Sequence, residues 1–293
     1  MSTFYITLLV LGAIGVIGAV CLYVISKKFQ VKEDPRVAQV RELLPGANCG
    51  ACGFKGCDDF ARQTVEQGNM EGLHCPGAGE EGNCAIAKLL GAEPVKAEPM
   101  IAVLKCNGSC SARNKVYIYD GASSCSVINA VAVGAEGCAY GCLGCGDCVS
   151  VCRFDAIRID PETKLPVVDS DKCTACGICA KACPRHLIEI RPRGRNDRRV
   201  WVACSSRDRG AQARKVCTAA CKGCMKCAKT CPFGAITVSD NLSYIDFEKC
   251  KACGKCVAVC PTGTILTHGF PVIKPKPETT TETPAPAAAN SQK

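Results

Sequence analysis

Residues 142–184 read CLGCGDCVSVCRFDAIRIDPETKLPVVDSDKCTACGICAKACP and contain the spacing C-x2-C-x2-C-x3-C twice. This spacing is typical of paired four-iron clusters, because three cysteines on one loop bind three irons and the fourth binds the neighbouring cluster. The stretch therefore predicts two [4Fe–4S] clusters. The ligands of the first, called the Cys142 site, are Cys142, Cys145, Cys148 and Cys183, and those of the second, the Cys173 site, are Cys173, Cys176, Cys179 and Cys152.

The same pattern returns in residues 221–261, which indicates a duplicated unit. The spacing C-x12-C-x3-C-x2-C-x2-C-x3-C runs from Cys125 to Cys152 and again from Cys204 to Cys231. Two more clusters are predicted here. The Cys221 site comprises Cys221, Cys224, Cys227 and Cys260, and the Cys250 site comprises Cys250, Cys253, Cys256 and Cys231.

A fifth cluster is predicted near the amino terminus. The Cys49 site comprises Cys49, Cys52, Cys57 and Cys75, in which three cysteines on a loop are closed by a distant fourth. This spacing differs from the ferredoxin type and is less specific. Cys84 follows in a short apolar stretch and is expected to pack on a helix.

Six further cysteines carry no decisive spacing. A candidate sixth site groups Cys106, Cys110, Cys125 and Cys138, whereas a second grouping takes Cys125, Cys138, Cys204 and Cys217 across the repeat. The third interpretation is that all six are buried or free thiols. The roles of Cys204 and Cys217 therefore stay open in the sequence.

Residues 4–25 are uncharged and apolar, long enough to cross a bilayer core of about 30 Å. A signal peptide is the alternative, but no basic region precedes the run and no small-residue cleavage site follows it. Lys27, Lys28 and Lys32 follow the run. By the positive-inside rule, we expect a single-pass anchor in the bacterial inner (cytoplasmic) membrane with the rest of the chain on the cytoplasmic side.

The amino-acid composition excludes further classes of function. The 28 cysteines in grouped C-x2-C runs favour metal over disulfides, and zinc is the competing metal. The formal net charge of +9 is mostly offset, because each cluster with its four thiolates adds about −2; nucleic acid is not expected to be a partner. The basic stretch 191–215 is either a solvated face or a docking surface for an acidic electron donor. No nucleotide-binding or flavin-binding motif is present, so single-electron transfer is expected rather than hydride transfer.

The motifs at Cys142–Pro184 and Cys221–Pro261 resemble bacterial two-cluster ferredoxins, although Arg153 stands where a proline is usual. Together with the apolar amino-terminal helix and the Cys49 module, they resemble the B-subunit family of Rnf-type ion-translocating electron transport complexes. That resemblance implies a protein that accepts electrons from soluble ferredoxin and works with other membrane and peripheral subunits. Those subunits would supply the flavins, the nicotinamide site and the path for Na⁺ or H⁺, so this chain would hold no complete active site.

Three alternatives remain at this point: an iron–sulfur subunit of a hydrogenase or formate dehydrogenase, a structural zinc protein and a cluster-assembly scaffold. The predicted fold class is α+β, with a transmembrane helix, a small four-cysteine domain and two ferredoxin-like units. The predicted boundaries are an anchor at 1–26, a [4Fe–4S] domain at 33–92, a cysteine-containing linker at 93–137, ferredoxin-like unit 1 at 138–192, a basic linker with unit 2 at 193–270, and a disordered tail at 271–293.

Overall fold

The computed structural model describes residues 2–28, 34–93, 98–131 and 136–270. The predicted disordered tail at 271–293 lies outside the described residues, as do residues 94–97 of the predicted linker. Helices are α1 Ser2–Lys28, α2 Pro35–Glu42, α3 Cys57–Gln67, α4 Gly79–Leu89, α5 Cys125–Val131, α6 Asp147–Ser150, α7 Ile178–Ala182, α8 Gly210–Val216, α9 Lys226–Thr230 and α10 Lys255–Ala258. Strands are β1 Met100–Leu104, β2 Ile157–Ile159, β3 Pro166–Val168, β4 Ile188–Pro192, β5 Arg199–Val202, β6 Ile236–Ser239, β7 Leu242–Ile245 and β8 Ile265–His268.

Helix α1 is apolar throughout its length. Residues Phe4–Lys28 have a mean hydropathy of 2.7 and none of this window is buried in the protein. A helix with apolar side chains on every face has no polar side to present to water. Among the described residues it is the one helix long and apolar enough to cross a membrane.

Helices α2, α3 and α4 form a small domain around one core. Asp34 caps α2 through its side chain, and Gly68 ends α3 in the left-handed conformation. Each helix contributes a fully buried side chain to the core: Val40, Phe60 and Ile86 are exposed by 0%, 1% and 0%. The rings of Phe54 and Phe60 meet edge to face at 5.6 Å. This domain therefore has an apolar core of its own.

Replacing Phe60 by alanine tests how much this core contributes. Loss of a fully buried aromatic ring is expected to lower the free energy of unfolding by about 3–5 kcal/mol. Hydrogen exchange of residues 34–93 in the full chain measures the change. Leu43→Ala is the control, because Leu43 is 37% exposed. Equal losses of protection in the two variants would contradict this assignment of the core.

The two ferredoxin-like units have the same order of elements. The first contains β1, α6, β2, β3, α7 and β4, and the second contains β5, α9, β6, β7, α10 and β8. In each unit the outer strands pair, β1 with β4 and β5 with β8, and the inner strands pair, β2 with β3 and β6 with β7; all four pairs are antiparallel. Strand β1 lies in the region predicted as linker at 93–137, yet Ala102 pairs with Ile190 of the first unit. The first unit is therefore assembled from two separate stretches of sequence.

The turn after Arg153 follows the repeat despite the missing proline. The third residue after the last cysteine of each motif has a positive φ: 48° at Asp155, 50° at His186, 60° at Gly234 and 61° at Gly263. All four turns thus lead in the same way into the strand that follows. Arg153 leaves the turn unchanged.

Candidate iron-sulfur centres

The four C-x2-C-x2-C loops share one backbone conformation. In every loop the residues on both sides of the second cysteine have φ between 49° and 89°, and these are Gly144, Gly146, Ala175, Gly177, Gly223, Met225, Ala252 and Gly254. Most positions are glycine, which adopts such angles without strain. Turns of this kind point successive amides into a concave surface that binds anions. The loops are therefore shaped to receive an anionic group such as a cluster held by four thiolates.

The third cysteine of each loop begins or enters a short helix and is buried. Cys148, Cys179, Cys227 and Cys256 are exposed by 9%, 7%, 7% and 7%. By contrast, the second cysteines Cys224 and Cys253 are exposed. Each site of the second unit thus has a buried side toward the core and an open side toward the surface.

In the second unit the two predicted ligand sets each surround one cavity. A cavity of about 320 Å³ is lined by Cys221, Cys224, Cys227 and Cys260. A second cavity, of about 310 Å³, is lined by Cys231, Cys250, Cys253 and Cys256. Both quartets draw their fourth cysteine from the other motif, as the crossed pattern predicts. Four surrounding cysteines are the ligand set that a [4Fe–4S] cluster requires.

In the first unit a cavity of about 420 Å³ is lined by Cys142, Cys148 and Cys183, and also by Cys125. The thiols of the Cys173 site lie near one another: burial, followed by the neighbouring Cys173 and Cys176 thiolates, raises the pKa of Cys179 to about 12. Cys152 likewise contributes to the raised pKa of Cys176, after burial. The first unit therefore brings the thiols of the Cys173 site near one another and places three of the four predicted ligands of the Cys142 site around one cavity, whereas Cys145 does not line that cavity and lies beside Cys125.

Burial dominates the electrostatics of these thiols. It raises the pKa of Cys142 and Cys256 to about 12, and nearby thiolates add to the effect. In the metal-free chain the buried thiols are therefore neutral near pH 7. Iron binds thiolates, so cluster binding has to release these protons.

Backbone amides donate to several of the candidate sulfurs. Ala156 N lies 3.4 Å from Cys152 Sγ, Leu187 N lies 3.4 Å from Cys183 Sγ and Ala252 N lies 3.4 Å from Cys250 Sγ. Ser243 Oγ lies 3.4 Å from Cys227 Sγ. Hydrogen bonds to ligand sulfur tune the reduction potential of an iron–sulfur cluster.

The Cys49 site lies at one end of the small helical domain. Cys75 is 5% exposed, and burial together with the Cys52 and Cys49 thiolates raises its pKa, against hydrogen bonds from the amides of Ala78 and Gly77 that lower it. Cys57 and Cys52 pack against the same core as Cys75. The four cysteines are thus gathered at the edge of the Phe60 core.

Two asparagines that the sequence pattern did not reveal hold this site. Asn83 is buried and clamps the Cys75 backbone, because Cys75 N donates to Asn83 Oδ1 at 2.9 Å and Asn83 Nδ2 donates to Cys75 O at 2.8 Å. Asn48 Oδ1 accepts from Cys57 N at 2.8 Å. Asn83 lies eight residues after Cys75 and no local motif marks it, whereas Asn48 directly precedes Cys49.

The candidate sixth set of Cys106, Cys110, Cys125 and Cys138 is divided by the structure. The Cys110 thiol donates to the carbonyl of Glu162 at 2.9 Å. The amide of Cys125 donates to Asp147 Oδ1 at 2.9 Å, at the start of α6, and this bond holds Cys125 in the Cys142 cavity. These hydrogen bonds hold Cys110 at the loop between β2 and β3 and Cys125 at α6, and neither cysteine lines the cavity that contains Cys106 and Cys138. The second grouping also includes Cys125, which lines the Cys142 cavity, whereas Cys138, Cys204 and Cys217 line another cavity together.

Cys125 is a fifth thiol at the Cys142 site. Burial, then the Cys125 thiolate and a hydrogen bond with it, raises the pKa of Cys145 to about 11. Cys125 contributes in the same way, after burial, to the raised pKa of Cys148. Sequence spacing alone gave no sign of this proximity.

The candidate centres form two rows. Cys49 contributes to the raised pKa of Cys176, after burial, so the Cys49 and Cys173 sites are neighbours. Cys148 contributes likewise to Cys179, and Cys227 to Cys256. Phe154 also packs on the helical domain, at 3.2 Å from the position of a Cβ on Gly77. One row thus runs through the Cys49, Cys173 and Cys142 sites, and the other through the Cys221 and Cys250 sites.

No group of three or more His, Cys, Asp or Glu side chains within the described residues is arranged to hold a single metal ion. The feature that the candidate centres share is instead a cavity or a ring of thiols on glycine-rich loops.

Family comparisons agree with this description of the loops. A family model for a 4Fe-4S dicluster domain matches residues 141–187, 172–235 and 220–264. A second model, for an Fe-S cluster, matches residues 44–71. The matches cover the ferredoxin-like units and the loop of the Cys49 site, and they support [4Fe–4S] clusters as the cofactors.

Three curated relatives align with most of the chain, and all three are B subunits of ion-translocating complexes. That of the Na(+)-translocating ferredoxin:NAD(+) oxidoreductase complex of Acetobacterium woodii is 41% identical over 82% of this chain and 71% of its own length. That of the ion-translocating oxidoreductase complex of Methanosarcina acetivorans is 41% identical over 82% of this chain and 89% of its own length. That of the proton-translocating ferredoxin:NAD(+) oxidoreductase complex of Clostridium ljungdahlii is 36% identical over 84% of this chain and 85% of its own length.

Proposed function

This chain belongs to the B-subunit family of Rnf-type ion-translocating oxidoreductase complexes, and from this membership we propose that it relays electrons between [4Fe–4S] clusters in a membrane complex. The complex would couple ferredoxin:NAD⁺ electron transfer to Na⁺ or H⁺ translocation. The observation that carries the proposal is the crossed arrangement of the second unit, in which each of two cavities is lined by four cysteines and takes its fourth cysteine from the other motif. Rows of one-electron centres pass electrons singly.

Five clusters are proposed on the ligand sets already defined, from the Cys49 site to the Cys250 site. When bound, each cluster supplies one reversible one-electron step. The chain's own contribution is to hold the thiolates, exclude water from the buried side and donate amide hydrogen bonds to sulfur. The remaining subunits of the complex would supply the flavin, nicotinamide and ion sites.

An acidic ferredoxin is the proposed electron donor, docking in an open groove beside the Cys250 site. The groove is lined by a set of basic side chains, which are Arg191, Arg195, Arg198, Arg199 and Lys251, and Cys250 also lines it. Arg191 is near enough to lower the pKa of Cys250, although burial and neighbouring thiolates raise it overall. A partner held in this groove would therefore sit next to a cluster.

Reversing the charge of Arg195 and Arg198 tests this docking site. Both side chains are exposed on the groove, whereas Arg199 is paired with Asp197 at 2.6 Å and stays unchanged. The variant R195E/R198E is expected to raise the KM for reduced ferredoxin about 10-fold or more at low ionic strength, because electrostatic steering changes association by factors of about 10 to 1,000. The difference should shrink at high salt.

The control for that experiment is K88E/R158E, which reverses two exposed cations away from the groove. It makes the same change in net charge. An unaltered salt dependence in R195E/R198E, or an equal effect in the control, would rule out this groove as the donor site.

A single-pass anchor with the remaining chain on the cytoplasmic side is the proposed membrane topology. Lys27 and Lys28 lie in the last turn of α1. The Cα atoms of Lys28 and Asp34 are six residues apart, so they cannot be separated by more than about 22 Å. The Cys49 domain would therefore stay close to the membrane surface, at the end of the relay opposite the donor groove.

Protease access measures this topology. In sealed vesicles with the cytoplasmic face outward, residues 98–270 are expected to be cleaved without detergent. In vesicles of the opposite orientation they should be protected until detergent is added. Cleavage in the second preparation alone would reverse the assignment of the cytoplasmic side.

A further inference from the structure

Four cysteines outside the five ligand sets line one cavity between the ferredoxin-like units. The cavity is about 360 Å³, and its cysteines are Cys106, Cys138, Cys204 and Cys217. Like the two cavities that the complete quartets of the second unit surround, it is lined by four cysteines. We call this cavity, with its four thiols, the junction site.

Two of the four thiols are buried, the other two are half-buried, and all four line the same cavity. Cys106 and Cys217 are each 7% exposed. After burial, the Cys106 thiolate contributes to the raised pKa of Cys138, and both Cys106 and Cys138 contribute to that of Cys217. Burial and neighbouring thiolates, Cys106 among them, raise the pKa of Cys204 to about 11. Contacts among all four residues thus cross the boundary between the units.

The junction site is built from equivalent positions of the two repeats. Cys106 follows the end of β1 by two residues, and Cys204 follows the end of β5 by two residues. Cys142 N donates to Cys106 Sγ at 3.4 Å, and Cys221 N donates to Cys204 Sγ at 3.4 Å.

Cys138 and Cys217 are equivalent in the same way. Each lies four residues before the first cysteine of its loop, which is Cys142 or Cys221. The duplication therefore supplies one pair of thiols from each unit, and the pairs meet at the boundary.

The backbone holds the two halves together at this point. Asn107 N donates to Ala203 O at 2.9 Å, and Thr218 N donates to Ala112 O at 2.8 Å. Trp201 Nε1 donates to Leu104 O at 2.9 Å. These bonds fix the position of each pair of thiols relative to the other, as a shared metal centre requires.

Buried positive charge accompanies the thiols. Arg113 is 6% exposed, lines the cavity and forms an ion pair with Glu136. Arg185 donates to Cys138 O at 3.0 Å. A cluster with four thiolates carries about −2, and buried charge is stable only when it is compensated. The cations fit an anionic occupant.

We propose that Cys106, Cys138, Cys204 and Cys217 hold a sixth [4Fe–4S] cluster that joins the two rows of centres into one path. This inference rests on the proposed relay function. Cys106 adjoins Cys142 of one row, and Cys204 adjoins Cys221 of the other through their hydrogen bonds. The path then runs from the Cys250 and Cys221 sites, through the junction site, to the Cys142, Cys173 and Cys49 sites.

The test compares iron and acid-labile sulfide in the full chain with those in C138A/C217A, which removes one thiol from each unit. Wild type is expected to hold about 24 irons and the variant about 20, because each cluster contains four irons. Low-temperature EPR of the dithionite-reduced variant should retain the signals of the other five clusters. The matched control is C84A/C110A, which removes two cysteines outside every proposed ligand set and is expected to hold about 24 irons.

Several results would overturn the sixth cluster. In the first, C138A/C217A holds as much iron as wild type. In the second, the control loses four irons instead. In the third, wild type holds one zinc per chain and C138A/C217A lacks it. If the double variant loses more than four irons, C138A alone decides: loss of about four supports the cluster and no loss rejects it. Wild type with about 20 irons and an unaffected double variant would reject only the sixth cluster, whereas wild type without iron would reject the relay function itself.

Discussion

The C179A chain is expected to lose the cluster of the Cys173 site and to pass electrons to the membrane complex at least about 100-fold more slowly than wild type. Cys179 is 7% exposed and its neighbouring thiols are Cys173, Cys176 and Cys148. All three are ligands in the proposed sets, so no spare thiol is available to replace Cys179. By contrast, at the Cys142 site the Cys125 thiol lies beside Cys145 and Cys148, where it is placed to replace a lost ligand.

The size of this effect follows from the linear order of the centres. The Cys173 site adjoins both the Cys49 site and the Cys142 site. Removing it interrupts the path instead of weakening one of several. Ferredoxin-driven NAD⁺ reduction by the assembled complex, together with iron per chain, measures the loss.

The control for C179A is C84A. Cys84 is half-buried in α4 and belongs to no proposed ligand set. The control should keep both its iron and its rate. A C179A chain that loses about four irons and yet turns over at the wild-type rate would show that electrons bypass the Cys173 site.

The spacing of cysteines within short stretches of sequence predicted most of the candidate sites. Spacing alone grouped Cys221, Cys224, Cys227 and Cys260, and the structure places these four around one cavity. A C-x2-C-x2-C loop determines its own backbone, because the positive φ angles are supplied by residues inside the motif. For the same reason, arginine in place of the usual proline at position 153 alters neither the turn that follows nor the position of the neighbouring cysteines.

The junction site was missed because it depends on strand pairing. The equal spacing C-x12-C suggested that Cys125 corresponds to Cys204, whereas the structure makes Cys106 the equivalent of Cys204. Insertion of α5 between β1 and the first loop moved Cys106 far from its partners in sequence. An apolar strand followed two residues later by cysteine, IAVLKC at 101–106 and VWVAC at 200–204, was the signal that marks the true repeat.

Removing iron and sulfide is expected to unfold the ferredoxin-like units while the helical domain keeps its structure. The core around Ala102 and Ile157 in the first unit contains few buried side chains, and Cys148 and Cys179 are two of them. Each sheet is two-stranded, and such pairs are at best marginally stable in water. Cluster binding therefore supplies much of the folding free energy of these units.

The helical domain provides the comparison within the same chain. Its core is formed by Val40, Phe60, Ile86 and other apolar side chains, and Cys75 is its one fully buried cysteine. After chelation of iron under anaerobic conditions, amide protection in residues 98–270 should fall about 1,000-fold, which corresponds to about 4 kcal/mol. Protection in α3 should fall much less, because the core residues that cover it remain.

Hydrogen exchange of the full chain in detergent, before and after chelation, measures both regions at once. The chelated C84A chain should behave as wild type does, whereas the F60A chain should lose protection in both regions. Retention of wild-type protection in residues 98–270 after iron is gone would mean that side-chain packing alone holds the units. The clusters would then bind to a preformed fold without stabilising it. The buried third cysteine of each loop would contribute to stability as an apolar side chain, and these residues are Cys148, Cys179, Cys227 and Cys256.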